Sequence, residues 1–588
     1  MHRPVFGLIA AGLLLSAAVH SQTAFTDISE SAGIHYRHDG FPYGGGIAPA
    51  DFDGDGWVDI YLTTGAGYPN QLYMNNGDGT FRETAVAAGV ANTSEGMAAV
   101  CGDVDNDGRI DLFLANHDGP NRLYRNAGDG TFEDVTMVAD VWDQGPATGA
   151  AMADVDNDGW LDIYVLNHSQ NLGTYLNRLY INRGDGTFRE EGAAMNAADG
   201  RTGLAVGFFD FNGDRFPDFY LVNEYDTDGL FLNNGDGTFR DIGAELGLLP
   251  GGGMGVDFSD FDRDGDIDIY VANLYRDYLY RNDGDGGIDE VSAALGIENL
   301  TMGWGVNFLD YDNDGDEDLY VVNGAMIWPE RYPEENVFYR NNGNGFFVEA
   351  AASLGLADDG DARASASADI DNDGFVDLMV INIDRGRFRL FRNHGNGNRW
   401  VSVNLVGSRS NRCGIGARIE VRAGNTVQVR EVAAGGSYGA MHSLVTHFGL
   451  RSAERIDRLT VLWPSGQETE LTHVPTNREL TITEPGDAPA TAVPSTIEVM
   501  PNYPNPFNPD TRIPFRLTAP ARLTLEVYDT AGRRVIDRSM GTFAAGDGEL
   551  LWNGGDRTGR PLPTGVYLYR LRLEDGPNSA ARKMILLR

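Results

Sequence analysis

Lysine is almost missing from this chain: of 45 basic residues in 588, only Lys583 is not arginine. Cysteine occurs twice, at Cys101 and Cys413, which excludes a disulfide-dense scaffold. Positive charge is scarce as well. Acids number 86 and the net charge is −41, which argues against a basic face for nucleic acid and against docking on anionic lipid. After residue 21 no window approaches 18 uninterrupted apolar residues, so no transmembrane segment is expected. What is abundant is apolar residue, at 42%, and glycine, at 76 residues. The first excludes a disordered chain over most of the length; the second, with 24 prolines and no collagen period, implies many tight turns and an all-β protein. At about 150 residues per domain the length suggests roughly four units.

The acid excess is confined. Residues 1–398 hold 67 acids and 22 bases, whereas 399–588 hold 19 acids and 23 bases. At the start, His2 and Arg3 precede an apolar run from Val5 to Val19 that is too short to span a bilayer, so residues 1–21 read as a secretory signal peptide.

The acids recur in a repeat. The string D-x-[DN]-x-D-x-x-x-D begins at Asp51, Asp103, Asp154, Asp210, Asp260, Asp310 and Asp369, at intervals of 52, 51, 56, 50, 50 and 59 residues. Each copy is preceded by a strand of small and apolar residues and followed by two more strand signals, such as Asp59-Ile-Tyr-Leu and Leu72-Tyr-Met-Asn. Four short strands per roughly 50 residues, seven times, predicts a seven-bladed β-propeller over 24–398. The last copy lacks its fourth strand, and Ala24–Ile34 matches the missing piece, which predicts a ring closed by both ends of the repeat.

The loops carry oxygen ligands at the spacing Ca²⁺ needs: carboxylates at positions 1, 3, 5 and 9 and a carbonyl at 7. The first offers Asp51, Asp53, Asp55 and Asp59 with the carbonyl of Trp57; the second Asp103, Asp105, Asp107 and Asp111 with Arg109; the third Asp154, Asp156, Asp158 and Asp162 with Trp160. The fourth offers Asp210, Asn212, Asp214 and Asp218 with Phe216; the fifth Asp260, Asp262, Asp264 and Asp268 with Asp266. The sixth offers Asp310, Asp312, Asp314 and Asp318 with Asp316, and the seventh Asp369, Asp371, Asp373 and Asp377 with Phe375. Unneutralised, so many close carboxylates repel one another. Up to seven Ca²⁺ ions are therefore expected. The fourth site should be weakest, because Asn212 removes a charge and Arg215 replaces the position-6 glycine, while the fifth and sixth loops, with the extra acids Asp266, Asp316 and Glu317, should hold Ca²⁺ at least as well as the rest.

With these loops and strands the blades resemble FG-GAP/VCBS repeats, which also build integrin α-subunit propellers. The resemblance implies fold and metal; for function it implies no more than adhesion, scaffolding or, in some polysaccharide lyases, catalysis. Residues 399–484 carry Asn411-Arg-Cys-Gly-Ile-Gly, Arg430-Glu-Val-Ala-Ala-Gly-Gly-Ser-Tyr438, His447-Phe-Gly-Leu and Leu462-Trp-Pro-Ser-Gly. They resemble the ASPIC/UnbV domain that accompanies such propellers in the cartilage acidic protein family, with Cys413 and Met441 where Ala and Gln are expected. A small β domain is expected there, with His447 as a hydrogen-bonded structural residue. Residues 485–496 read as a Pro/Ala/Thr linker. Residues 497–588, with Asn502-Tyr-Pro-Asn-Pro-Phe-Asn-Pro, Val527-Tyr-Asp-Thr-Ala-Gly-Arg and Gly565-Val-Tyr-Leu-Tyr-Arg, resemble the immunoglobulin-like β-sandwich that sorts type IX secretion substrates, related to the FlgD Ig-like domain. That implies the type IX machinery as a partner and a secreted or cell-surface location in a Gram-negative-type bacterium.

Strand order puts the Asp loops on one face of the ring and the strand 2–3 loops and crossovers on the other. The second face collects Tyr36, His38, Tyr43, Tyr68, His117, Trp142, His168, Tyr175, Glu224, Tyr225, Tyr275, Arg276, Trp328, Arg331 and Tyr332. Aromatic residues and arginine favour recognition, so this face is the expected binding surface for an extracellular glycan or protein. Asn116, Asn167, Asn223, Asn273, Asn323 and Asn382, closing each second strand, read as turn-forming residues. No nucleophile elbow, phosphate loop, zinc signature or haem motif occurs, and no catalytic residue is assigned. The expected function is a calcium-binding adhesion or binding module; a lyase-like enzyme and a purely structural surface component are the alternatives.

Overall fold

In the computed structural model the described residues are 24–36, 38, 43–168, 174–249, 251–284, 286–325, 334–343, 345–383, 387–486, 497–517, 521–530, 533–543, 546–556, 560–573 and 581–588. The expected signal peptide and nearly all of the expected linker lie outside them. Two compact units divide the chain, residues 1–485 and 486–588.

The first unit contains seven four-stranded antiparallel sheets. Blade one is Ile47–Ala50, Asp59–Leu62, Gln71–Asn75 and Phe81–Glu83. Blade seven takes Ala362–Ala368, Asp377–Asn382 and Arg387–Asn393 from the end of the repeat and Phe25–Asp27 from its beginning, with Phe25 opposite Asn393. The ring thus closes by hydrogen bonds between chain segments more than 360 residues apart. The first strand of each blade faces the axis, where neighbouring backbones crowd, so small residues prevail, as in Ala147–Ala153 (Ala-Thr-Gly-Ala-Ala-Met-Ala). At Gly255 a β-carbon would lie 2.1 Å from the Trp304 carbonyl oxygen, so only glycine fits.

Residues 399–483 add two more sheets to the same unit. One holds Thr446–Arg451, Arg399–Val406 and Arg478–Thr483, the last two parallel; the other holds Thr426–Glu431, Arg418–Ala423, Arg455–Leu462 and Glu468–Pro475. This β body shares a hydrophobic core with blades one to three, for example Ile415, Val432 and Met441 with Val100 and Met152.

The segment joining its sheets runs down the propeller axis. Ile47 accepts the amide of Met441, and Ala99 donates to the Gly439 carbonyl. Met152 donates to Ala434, Val206 accepts from Gly436 and Val256 accepts from Ser437. Val306 donates its amide to Ser437 Oγ at 3.1 Å, and Ser367 accepts from Ser443. All seven innermost strands are therefore tied to residues 434–443. Tyr438, fully buried, packs edge-on against Trp304 at 4.9 Å, and the Arg363 guanidinium lies over the Trp304 ring, 4.1 Å from its centroid.

The second unit is a sandwich of a three-stranded sheet (Ile497–Val499, Thr511–Leu517, Gly546–Trp552) on a four-stranded one (Arg534–Phe543, Ala521–Asp529, Gly565–Leu573, Arg582–Leu586). Phe515, Leu525, Val527, Trp552, Tyr569 and Met584 fill its core.

Candidate metal centres

Each Asp loop joins the first two strands of its blade and is wound around its own carboxylates. The position-1 aspartate accepts the position-6 amide in all seven, as Gly56 to Asp51 at 2.9 Å and Arg215 to Asp210 at 2.8 Å. The position-5 aspartate accepts the position-7 amide, as Trp57 to Asp55 and Phe375 to Asp373. Position 6 needs positive φ, which glycine supplies at 84–102° in six loops; Arg215 takes it at 73°.

The position-9 aspartate is the anchor. One oxygen of Asp59, Asp111, Asp162, Asp218, Asp268, Asp318 and Asp377 accepts the position-2 amide. The other accepts the amide of an asparagine ending the third strand: Asn75, Asn126, Asn182, Asn233, Asn282, Asn341 and Asn393. Each of these asparagines then donates Nδ2 to the position-2 carbonyl of the preceding blade's loop, at 2.8–3.1 Å, from Asn75 to Ile370 round to Asn393 to Tyr311. A closed belt of seven side chains thus fixes loop to loop. The sequence contains these residues as an invariant Asn within each third strand, but nothing in one copy says that the amide reaches the neighbouring blade.

Carboxylate oxygens at positions 1, 3 and 9 converge to within 4.8 Å of one another in the first, second, third, fifth and sixth loops. One oxygen of each of the position-3 residues Asp105, Asp312 and Asp371 is buried without a hydrogen-bond partner. Burial pushes the Asp59 carboxyl up to about 7, Asp111 and Asp218 to about 8 and Asp268 to about 9. Orphaned buried oxygens and mutually repelling carboxylates are the donor set a divalent cation satisfies, and hard, all-oxygen chemistry with flexible spacing suits Ca²⁺. With an ion bound, positions 1, 3 and 9 would hold it, and the ion would supply a counter-charge to position-9 carboxylates such as Asp59, Asp111, Asp218 and Asp268.

Two loops have polar neighbours beyond their own carboxylates. Asp316 is paired with Arg263 at 2.8 Å and Arg451 at 2.6 Å, and Glu317 with Arg430 at 2.7 Å, so the extra acids of the sixth loop serve arginines. At the fourth loop Asn212 donates to Asp214 Oδ2 at 2.9 Å, and Glu431 of the β body accepts the Asp210 amide at 3.0 Å.

The β body covers this face and meets the loops all round the ring. Arg412 donates its amide to Asn106 and Asp103 donates to Cys413 Sγ. Arg418 reaches the Gly265 carbonyl, and Trp400 lies where a β-carbon on Gly374 would stand. His447 donates from Nε2 to Asn313 Oδ1 at 2.6 Å, because Asn313 spends its Nδ2 on Gly374; Nδ1 then takes the Ser402 hydroxyl at 3.2 Å. Burial and Arg430 push His447 down to about 3, so it is a neutral structural residue and too weak a base for Ser402. Both cysteines are buried free thiols; burial raises each, Cys413 to about 12, which leaves them unreactive.

On the opposite face the structure gathers part of the expected set. Glu224, whose side chain is 1% exposed, accepts Tyr43 Oη at 3.2 Å and lies 3.0 Å from His168 Nε2. A hydrogen bond with Glu224, then burial, raise the Tyr225 phenol to about 12, although that ring is 65% exposed. His117 lies close enough to His168 to be lowered by it, after burial. Tyr36 and His38 form a separate buried pair. Trp142, Tyr175 and Tyr275 stand exposed, while Arg276 is spent on Glu290. Trp328, Arg331 and Tyr332 lie outside the described residues. The asparagines closing the second strands do not make turns with their own successors. All six are buried, and four brace the strand 2–3 loops: Asn116 donates to Pro120, Asn167 to Leu176, Asn223 to Thr227 and Asn323 to Glu335, whereas Asn273 donates to Val271 and Asn382 to Asp358.

Fold and loops together define a repeat propeller with an appended β body and sandwich. The model of the FG-GAP-like repeat matches residues 51–114, 103–165, 154–221, 210–271 and 260–321; that of ASPIC and UnbV matches 407–489; and that of the FlgD Ig-like domain matches 504–576. The chain therefore carries these three kinds of module. Among relatives, it is 29% identical to human cartilage acidic protein 1 over 453 residues and 28% identical to the mouse protein, covering 72% of this chain. The chain spans about three fifths of the length of these relatives. A lectin of Agrocybe aegerita that recognises non-reducing terminal N-acetylglucosamine aligns over 60% of this chain and 88% of its own, at 19% identity and a TM-score of 0.37.

Proposed function

We propose that this is a secreted or cell-surface protein whose seven Asp loops hold Ca²⁺ and whose opposite face binds an extracellular glycan or protein, serving adhesion. The observation that carries the binding assignment is Glu224, buried yet ringed by Tyr43, Tyr225 and His168 at the end of the ring remote from the Asp loops. A fixed carboxylate that orients phenols and an imidazole beside exposed aromatic rings is a preorganised polar site with apolar surroundings. Among the described residues no helix is long and apolar enough to cross a membrane. The C-terminal sandwich acts, on this reading, as the export signal read by type IX machinery. Screening the calcium-loaded protein against a glycan array and surface-protein panel tests the binding role. Glu224→Gln should lose the ligand with calcium content unchanged; a ligand retained by Glu224→Gln and by Tyr225→Ala contradicts the assignment. Deleting 497–588 should trap the propeller in the periplasm, and normal delivery of the truncated chain excludes the export role.

A further inference from the structure

A cavity of about 800 Å³ lies between the Asp-loop face of the propeller and the β body, within the size range of small-molecule sites. Its inner wall is made of Phe208, Phe209, Phe258 and Phe308, contributed by the innermost strands of blades four, five and six. Phe209 and Phe258 are stacked, with centroids 4.3 Å apart. Asp257 and Glu431 stand among these rings, as does Glu317. Against them the cavity sets Arg430, already held by Glu317 at 2.7 Å, and His442, whose Nε2 lies 3.3 Å from Asp257 Oδ2. The His442 Nε2 is buried and makes no hydrogen bond of good geometry. From there the lining extends outward between blades one and two to Trp57 and Arg109, the latter's side chain 41% exposed, which gives a path from solvent.

Aromatic faces with carboxylates among them attract one kind of guest. A ring quadrupole favours a cation over its face, most strongly where water is excluded, and a nearby carboxylate adds direct attraction. Anions are disfavoured by the same groups and by the strongly acidic propeller through which they would have to pass. We propose that the cavity between the loop ring and the β body is a binding site for a small organic cation with an apolar body, an ammonium or quaternary amine, seated against Phe209, Phe258 and Phe308 and paired with Asp257 and Glu431. Nothing in this requires the binding face around Glu224, which lies at the other end of the ring.

The test uses the full-length, calcium-saturated chain, so that the loops do not compete for the cation. Benzyltrimethylammonium, its uncharged carbon isostere and phenylpropanoate are titrated by calorimetry. The cation should bind saturably, one per chain, roughly tenfold or more tighter than the isostere, with phenylpropanoate inert. Glu431→Gln should weaken it severalfold, and filling the cavity with Leu444→Trp, which touches no Asp loop by a hydrogen bond, should abolish it with calcium content unchanged. If Leu444→Trp misfolds, Phe258→Leu serves in its place, because it removes a ring and keeps an apolar wall. No saturable cation binding, equal binding of the isostere, or binding indifferent to Glu431→Gln and to the wall variant each overturns the proposal.

Discussion

The two units bury carboxylates by opposite means. In the propeller, Asp59, Asp111, Asp218 and Asp268 sit at the root of the loops with backbone amides and other aspartates for company, and burial raises them to between about 7 and 9. In the C-terminal sandwich, Glu526 is 2% exposed, but Arg570 and Arg534 reach it; burial is outweighed by bonds from Arg570 and Tyr528, and its carboxyl stays below the usual range. One unit carries its own counter-charge and the other must import it. With Ca²⁺ in the loops as proposed, the propeller should be the metal-dependent fold and the sandwich the independent one.

The first way to break the comparison is through packing that has nothing to do with charge. Trp304→Ala removes the ring between Tyr438 and Arg363 and leaves a buried guanidinium uncovered; it should cost about 3–5 kcal/mol in the propeller and nothing in the sandwich, measured by denaturant unfolding. The belt is next. Asn282→Ala frees the Phe211 and Ile267 carbonyls and the Gly284 amide, a loss of about 1–3 kcal/mol, whereas the exposed Asn76→Ala should lie within about 0.5 kcal/mol of the parent. An equal effect at both positions would deny the belt its role.

Acidity separates the units by sign. A carboxyl raised on folding holds its proton more tightly folded than unfolded, so the metal-free propeller should gain stability as pH falls from about 9 towards 5. Glu526, lowered on folding, stabilises the sandwich above the ordinary glutamate range, and that contribution is lost as pH falls through its depressed value. Melting in EDTA at stepped pH should show the propeller transition rising as pH is lowered from about 9 to 5, with Glu526 adding no change to the sandwich there. The sandwich transition should fall only below the ordinary glutamate range. A propeller transition that falls as pH is lowered over that window contradicts the account. With calcium present the propeller's trend should reverse, because protons then displace the ion. The smallest effect is local. Arg215→Gly relieves a side chain held at φ 73° and should stabilise the chain by about 1 kcal/mol while raising fourth-loop affinity.

The ring was legible because its signals are local and repeated seven times: an Asp loop, a strand, and a turn that reads Gly-Asp-Gly in five copies and Gly-Asn-Gly in two. Even the closing strand at Phe25–Asp27 could be read, since it carries the repeat's own pattern. The axial segment could not. Ala434-Gly-Gly-Ser-Tyr-Gly-Ala-Met has no period, and its partners are backbone groups of seven strands up to about 390 residues away. For the same reason nothing in the composition of 399–484 says that it sits over the loops. What Asp316 and Glu317 meet could not be read either, because Arg263, Arg430 and Arg451 reach them from elsewhere in the fold. Glu224, Tyr43 and His168 were correctly placed on one face by strand order, yet their mutual contact depends on blade geometry that no spacing encodes.

The most direct test of the central claim is differential scanning calorimetry of the intact chain with millimolar calcium and after exhaustive EDTA treatment. Each occupied loop adds about 2.7 kcal/mol at a hundredfold excess over its dissociation constant, so several acting on one ring should shift the propeller transition far upward in calcium and leave the sandwich transition where it was. A propeller transition unmoved by EDTA would contradict the metal assignment, and with it the reason given for the difference between the two units.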